Sequence, residues 1–362
     1  MIDSSVYPYL SLVIASRNDN HGGNLRQRMQ VSLGGLMEQL ERYQIDSELL
    51  IIEWNPPNEK PPLKDVIKWP EKQRYCTVKI INVPTETHFR FKGSNKVPMI
   101  REIAVNCGIK RARGRFILPG AVDLLYSEEL VEFLATKSLR TDKIYRIARL
   151  DVDNNAVNFR TLKEQLEYSS NHIIKINANS HTKHHWYNRN KLPDLFTNAA
   201  GDFQLMSKGN WHLIRGYSEN YIFAYGDGIL CYAAYAAGIE EVVLKHPLCL
   251  YHIDHEEKFN ERKKDSSLPF ENYLRLPFLP DTINGILMSI YGNILMKSGF
   301  KLKSTENGVP TLHPLEYRKM ARDMISGKRS YVLNDENWGL GQDELEEHII
   351  NVAEWDREYA RN

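Results

Sequence analysis

The stretch "REIAVNCGIKRARGRFILPGAVD", Arg101 to Asp123, decides how the chain is read. Its first half repeats apolar residues at helical spacing and starts just after Pro98, which suits a first helical turn. Its second half, "GRFILPGAVD", is a short apolar run of strand type that ends on an acid. A helix that leads into a buried strand with a carboxylate at its exit is half of a strand–helix–strand repeat. Asp123 then sits where parallel sheets present ligand groups.

Working outward, the same alternation continues on both sides. "YLSLVIAS", "SELLIIEW" and "YCTVKIINVP" read as buried strands. Between the first two, "NLRQRMQVSLGGLMEQLERY" is an amphipathic helix with Leu25, Met29, Leu33, Leu36, Met37 and Leu40 on one face. "NPPNEKPP" is a stiff surface loop. Downstream, "SEELVEFLATK" is a helix capped by Ser127, and "KIYRIARLDV" is a fifth strand. Such alternation implies parallel strands with right-handed crossovers and helices on both faces. The polar segments that follow buried strands are Ser16 to Gly23, Glu53 to Asn55 and Pro119 to Asp123. The first, "SRNDNHGG", holds far more polarity than a turn needs, so it is read as facing a ligand.

From about Asn154 to Leu195 the chain is polar and weakly periodic, and includes "NSHTKHHWYNRN". "GDFQLMSKGNWHLIRGY" and the small-residue helix "GDGILCYAAYAAG" restore order, and "VVLKHPLCLYHIDHE" is a late strand ending in histidines. Beyond about Lys258 the sequence reads as helix, with "PLEYRKMARDMI" and "DELEEHIINVAEWDREYA".

The residues so far carry a resemblance. Asn106, Gly108, Ala112, Gly114 and Asp123 fall in the order of a region in GT-A glycosyltransferases of the family-2 kind: Asn-x-Gly, Ala-x-Gly, a strand, then an acidic motif. Ala121 stands where the first acid of that motif usually does, and Asp123 where the second, the usual metal ligand, does. "SRNDNHGG", "EWNPP", "TNAAGDF" and, more weakly, "NWGL" near Trp338 also look like a group of uncharacterised bacterial glycosyltransferase-like proteins.

The resemblance implies a GT-A fold: a three-layer α/β/α sandwich with a mostly parallel sheet, over residues 1–262. A helical C-terminal extension, residues 263–362, follows. It implies transfer of a sugar from a nucleotide-diphosphate donor, UDP-sugars first, to a carbohydrate or other hydroxyl acceptor, with inversion. Ser16, Arg17, Asn18, Asp19 and Glu53 would hold the nucleotide, with Arg101, Asn106 and Asp123 completing the donor site. Mn²⁺ or Mg²⁺ would be bound by Asp123 with His252 or His255 from "LYHIDHE", and imidazole favours Mn²⁺. An extended backbone would point the two histidines to opposite sides, so one of them is expected to ligate. Asp227 in "YGDGIL" would be the general base, Asp202 would lie near the sugar and Glu219 on the acceptor side. The literal Asp-x-Asp, Asp151 to Asp153, lacks a preceding Ala-x-Gly strand and reads as a turn that opens the polar middle segment. His181, His184 and His185 read as an acceptor-side loop rather than a zinc site, since no Cys lies near them.

The rival readings are a nucleotidyltransferase that makes the nucleotide sugar, for which "NDNHGGNLRQR" offers two glycines and Arg26, and a degenerate sugar-binding domain without catalysis. Composition bounds the rest. The 362 residues carry 47 Lys and Arg against 46 Asp and Glu, which gives no support for nucleic acid or an anionic membrane as the main partner. Four scattered cysteines without a CxxC pair read as reduced core residues of a cytoplasmic protein, and the first residues lack the pattern of a signal peptide. "TINGILMSIYGNILM" is the most apolar helical stretch and is too short to span a membrane.

Overall fold

The computed structural model describes residues 8–71, 73–177, 192–198, 200–220, 225–255, 264–266, 278–300, 302, 304–306 and 309–359. The strands are β1 (Leu10–Ser16), β2 (Ser47–Trp54), β3 (Cys76–Val83), β4 (Phe116–Gly120), β5 (Leu124–Tyr126), β6 (Lys143–Ile147), β7 (Arg149–Val152), β8 (Ile173–Asn177), β9 (Leu205–Ser207), β10 (Glu240–Leu244), β11 (Leu250–Ile253), β12 (Lys264–Ser266), β13 (Ser304–Glu306), β14 (Val309–Thr311) and β15 (Glu346–Asn351). The helices are α1 (Leu25–Arg42), α2 (Leu63–Val66), α3 (Thr85–His88), α4 (Arg101–Arg111), α5 (Glu128–Ala135), α6 (Leu162–Asn171), α7 (Lys208–Ile214), α8 (Gly226–Ala236), α9 (Asp281–Lys297), α10 (Pro314–Ile325) and α11 (Glu354–Tyr359).

The main sheet has the order β10-β6-β9-β4-β1-β2-β3-β15. Its centre is parallel, with β1 between β2 and β4, and β3 beyond β2. Only β9 and β15 run against their neighbours. Alternate residues of β1 divide between two cores. Leu10, Leu12 and Ile14 pack with α1 and α5 on one face, while Val13 packs with α4, α7, α8 and α10 on the other. The side-chain period of two and the apolar stripes of the helices thus build the three-layer α/β/α architecture that the resemblance implies.

Three strands read from sequence as single elements are each broken in two. β4 continues into β5, β6 into β7 and β10 into β11. The second halves leave the main sheet and join with β8 in a second sheet of order β5-β11-β7-β8. Asp123 lies at the break between β4 and β5, and Asp151 and His252, each the third residue of its strand, face each other across β7 and β11. The seam between the sheets therefore gathers strand ends that are far apart in sequence.

Past residue 263 the chain supplies α9, α10 and α11, but also strands. "EEHIIN", part of a stretch read as helix, is β15, which pairs antiparallel with β3 and closes that edge of the main sheet. Its Ile350 packs on the core while Ile349 is exposed, the alternation of a strand. The middle segment read as irregular holds α6, whose Thr161 and Glu164 form a reciprocal capping box, and β8.

Candidate active site

Asp123 is buried at the seam, and its charge is met first by an arginine that sequence reasoning passed over. Arg28 on α1 is fully buried and donates from Nη1 to Asp123 Oδ2 at 2.5 Å. Its Nη2 donates to the His21 carbonyl at 2.6 Å and the Gly23 carbonyl at 3.1 Å. One guanidinium thus ties the loop after β1 to the acid after β4. The signal was present: Arg28 falls three after Leu25 and four before Ser32, on the helix face that turns inward.

The two glycines that close "SRNDNHGG" are explained by the same contacts. Gly22 has φ +66°, and a Cβ there would stand 2.5 Å from His255 Nδ1. The loop is held between Arg28 and His255, with His21 and His255 ring centroids 5.8 Å apart.

Both histidines of "LYHIDHE" approach Asp123: His252 Nε2 lies 3.8 Å from Oδ1 and His255 Nε2 3.6 Å from Oδ2. The expectation that only one could do so assumed an extended backbone. β11 ends at Ile253, so His255 lies beyond the strand and its ring returns to the same side. One ligand atom from each of Asp123, His252 and His255 lies within 4.8 Å of the others. Ligands of one divalent ion at about 2.1 Å stand roughly 3–4 Å apart, so modest side-chain adjustment would close the set. A carboxylate oxygen and two imidazole nitrogens suit Mn²⁺ or another transition ion better than Mg²⁺. Asp123 Oδ1 remains for the ion while Arg28 keeps Oδ2.

The "DVD" stretch divides between two roles. Asp153 caps the turn that follows, accepting from the Asn155 amide at 2.7 Å, as the turn reading expects. Asp151 instead lies in the site: His252 Nδ1 stands 3.1 Å from its Oδ1, and Asn177 donates to Oδ2 at 2.8 Å. Burial would raise the Asp151 carboxyl, but the His252 contact, the Arg149 charge and the Asn177 bond outweigh it and hold the pKa at about 2. Burial likewise disfavours charge on His252, yet Asp151, Asp123 and Asp202 together raise its pKa. A ring held between two carboxylates has its orientation fixed.

Arg149, also missed from sequence, carries the line further. Its Nε lies 2.9 Å from Asp151 Oδ1, and its Nη1 is 2.6 Å from Asp202 Oδ2. Its spacing of two from Asp151 puts both side chains on one face of β7. Burial opposes the charge of Asp202, but Arg149, His252 and Arg101 hold its pKa below the usual value. Beside it, the Gly201 backbone is bracketed: Arg101 Nη2 donates to its carbonyl at 2.7 Å, and Asp227 Oδ2 accepts from its amide at 3.0 Å. Asp227 Oδ1 accepts from Gly228 at 2.8 Å in the first turn of α8. Asp123, Asp151 and Asp202 are thereby linked through His252 and Arg149, and Asp227 stands beside them on the Gly201 backbone that Arg101 also holds.

The residues expected at the nucleotide are found at two adjacent strand ends. Ser16 and Glu53 are register partners on β1 and β2. Ser16 is buried against Met29, with Oγ 3.8 Å from its sulfur. Asn18 donates to the Pro61 carbonyl at 2.8 Å, and Glu53 Oε1 accepts from the Leu63 amide at 2.8 Å, so both hold the loop between β2 and α2. Burial raises the Glu53 carboxyl. Asp19 accepts from the His21 amide at 3.0 Å and lies 3.4 Å from Arg17 Nη1.

Two expected site residues act elsewhere. Asn106 is fully buried, donates to the Tyr217 carbonyl and to Glu219 Oε1, both at 2.8 Å, and accepts from the Tyr217 amide. Glu219 Oε1 also accepts from the Gly339 amide at 2.8 Å. The pair fastens "NWGL" to α4, which is why Trp338 is buried, and Asn106 has no amide group left for a nucleotide. His181, His184 and His185 lie outside the described residues.

The fold is that of a three-layer α/β protein, and its sheet seam carries a group, Asp123, His252 and His255, that could hold a metal ion. No family model matches the chain, and no curated protein matches it. Among solved structures its neighbours are GT-A glycosyltransferases. It is similar to Staphylococcus aureus TarS residues 1–349 in complex with UDP-GlcNAc, at 13% identity over 80% of this chain and 72% of that one, TM-score 0.44. It is similar to GalNAc-T7 with UDP, GalNAc and Mn²⁺, at 12% identity over 69% of this chain and 45% of that one, TM-score 0.45. It is also similar to the catalytic domain of Drosophila β1,4-galactosyltransferase 7 in complex with xylobiose, at 11% identity over 66% of this chain and 65% of that one, TM-score 0.34. These likenesses concern the layout of the fold, and the chain's own side chains carry the functional reading.

Proposed function

We propose that the chain transfers a glycosyl group from a nucleotide-diphosphate sugar, a UDP-sugar first, to a hydroxyl acceptor, with a divalent cation at Asp123, His252 and His255. The observation that carries this reading is the convergence of those three side chains at the seam, beside the strand ends of β1 and β2. The cation, Mn²⁺ by the chemistry of its ligands, would neutralise charge on the diphosphate leaving group. Ser16, Arg17, Asn18, Asp19 and Glu53 would line the nucleotide pocket, with Arg17 the cation nearest the strand end.

Inverting transfer also needs a carboxylate to take the acceptor's proton as the hydroxyl attacks. Asp227 suits that role better than Asp202. Its bonds go to the backbone amides of Gly201 and Gly228, whereas Asp202 is committed to the Arg149 guanidinium. Arg101 and Asp202 then fix the Gly201 turn against Asp227, so that the base keeps its place. A thermal-shift panel of UDP-, GDP-, CMP- and dTDP-sugars, with and without Mn²⁺, tests the reading. Stabilisation by one nucleotide sugar that depends on Mn²⁺ is expected. Stabilisation by a nucleoside triphosphate instead, with pyrophosphate release, would assign the site to nucleotidyl transfer.

A further inference from the structure

The seam holds more carboxylate than its metal group uses. Asp151 Oδ1 stands 3.1 Å from His252 Nδ1, and the pairing of β7 with β11 makes the two residues direct neighbours. Asp202, in the short turn Ala200–Asp202 before β9, is close enough for its charge to act on the same ring. Neither acid belongs to the group formed by Asp123, His252 and His255. One guanidinium claims both. Arg149 Nε lies 2.9 Å from Asp151 Oδ1 and Nη2 lies 3.4 Å from Oδ2, while Nη1 lies 2.6 Å from Asp202 Oδ2. Asn177 donates to Asp151 Oδ2 as well, at 2.8 Å, so both Asp151 oxygens are engaged. A planar fork can reach two acids on separate elements at once, which a single ammonium cannot do in the same way.

Charge shows what the fork does to a cation nearby. Around His252 stand Asp123, Asp151 and Asp202 with Arg28 and Arg149, an excess of one negative charge. Without Arg149 the excess would be two, and Asp202 would lose the partner that fixes its direction. Arg149 also acts on the His252 ring in the sense opposite to the acids, so it opposes any cation held there. In a half-buried site, one unit of charge a few Å away changes the affinity for a dication by at least about ten-fold. Extra carboxylates would also fill the coordination positions that an ion assisting a reaction must keep open. A guanidinium that served only to neutralise buried acids would behave in the opposite way. Its loss would leave two acids unpaired, loosen the seam and weaken the hold on the ion.

We propose that Arg149 limits how tightly the seam holds its cation: it keeps Asp151 and Asp202 as its own partners, so that the ion rests on three side chains and stays open to an anionic donor group. Arg149 is a positioning residue, since it acts through the two acids. The inference rests on the reading of Asp123, His252 and His255 as the ligands of the ion. Its test is calorimetry of Mn²⁺ alone with the full chain, joined to water-proton relaxation of the bound Mn²⁺, which reads the water left on the ion. Arg149→Met should bind Mn²⁺ at least about ten-fold more tightly than the wild type, with less water on the ion. The gain in UDP affinity that Mn²⁺ brings should shrink in the same variant. Arg149→Met with Asp202→Asn restores the charge balance and should return Mn²⁺ affinity to the wild-type level. Arg149→Lys keeps the charge, the safest change for the fold, but loses the fork. It should bind Mn²⁺ more tightly than the wild type, by less than Arg149→Met. Thermal unfolding shows which variants are folded. Wild-type binding of Mn²⁺ with equal or weaker binding by the folded Arg149 variants would overturn this inference alone. Absence of Mn²⁺ binding by the wild type would overturn the metal reading and this inference with it.

Discussion

At the N-terminal end of the parallel strands, Glu48 on β2 is buried with its oxygens fully committed. Oε1 accepts from Ser11 Oγ at 2.6 Å and the Arg113 amide at 2.5 Å, and Oε2 from Arg113 Nε at 3.2 Å. Arg113 turns its other nitrogens to Asp356 on α11, both at 2.8 Å, over the Trp355 ring. At the C-terminal end, Asp123 and Asp151 are also buried and also meet guanidinium groups, but imidazoles stand between them. Amides and guanidinium groups can only donate, so the first network is closed. An imidazole nitrogen can give up its proton and bind a cation, so the second can take a ligand. Among the described residues that end alone gathers three side chains able to hold a metal ion. Buried charge by itself does not mark a site; the kind of partner does.

The largest expected effect separates chemistry from binding within the second network. Asp227→Asn should lower sugar transfer by about 10²- to 10⁴-fold, the scale of general-base catalysis, while donor affinity stays as in the wild type. Transfer at the wild-type rate would move the base to Asp202. The next separates the networks from each other. Glu48→Ala leaves the Ser11 hydroxyl, the Arg113 amide and Arg113 Nε short of an acceptor and should cost about 3 to 5 kcal/mol in urea unfolding. The folded variant should keep its response to UDP and Mn²⁺. A lost response would mean that the two ends of the sheet are coupled.

How far these networks were legible beforehand depends on local pattern. β1 to β4, α1, α4 and α5 follow from periodicity, because each buries its stripe against neighbours close in sequence. The breaks that create β5, β7 and β11 do not, since Ala121 and Val122, Ala148, and the turn at His246 and Pro247 leave the apolar runs looking continuous. Asp123 and His252 were found by resemblance and position. Asp151 was set aside because its sequence context is wrong, yet the pairing of β7 with β11 sets it beside His252. Arg28 and Arg149 were missed although each sits on an inward face, because a cation at such a position reads first as a solvated residue. Asn106 and Glu219 were read as site residues, but Asn106 bonds Tyr217 and Glu219, and Glu219 bonds Asn334 and Gly339, partners too far along the chain for any local pattern to connect them.

Two smaller effects sharpen the same contrast. Glu53→Gln keeps an acceptor for the Leu63 amide but loses the charge, and should weaken nucleotide affinity by about 1 kcal/mol, measured by calorimetry. An unchanged affinity would leave Glu53 as a loop anchor alone. At the closed end, burial opposes the charge of Asp356, but Arg113 and Thr77 hold its pKa below the ordinary value of 3.8. A carboxyl depressed in the folded state adds stability above its unfolded pKa and loses it as pH falls through the folded one. Hydrogen exchange of β15 and α11 should therefore quicken below about pH 4, ahead of β1 and β2. Simultaneous release of all four elements would show that Arg113 and Asp356 do not hold the C-terminal segment separately.

The central claim is that Asp123 joins His252 and His255 in holding a cation that assists a nucleotide sugar. Calorimetry of Mn²⁺ and UDP with the wild type and with Asp123→Asn tests it most directly, since Asn can still accept from Arg28 and thermal unfolding shows whether the fold is kept. The wild type should bind Mn²⁺ and should bind UDP more tightly in its presence. The variant should lose Mn²⁺ affinity by about 100-fold, no less than loss of an outer partner of a metal site costs, and with it the Mn²⁺-dependent gain in UDP affinity. Equal Mn²⁺ and UDP binding by a folded Asp123→Asn variant, or no Mn²⁺ binding by the wild type, would contradict the claim.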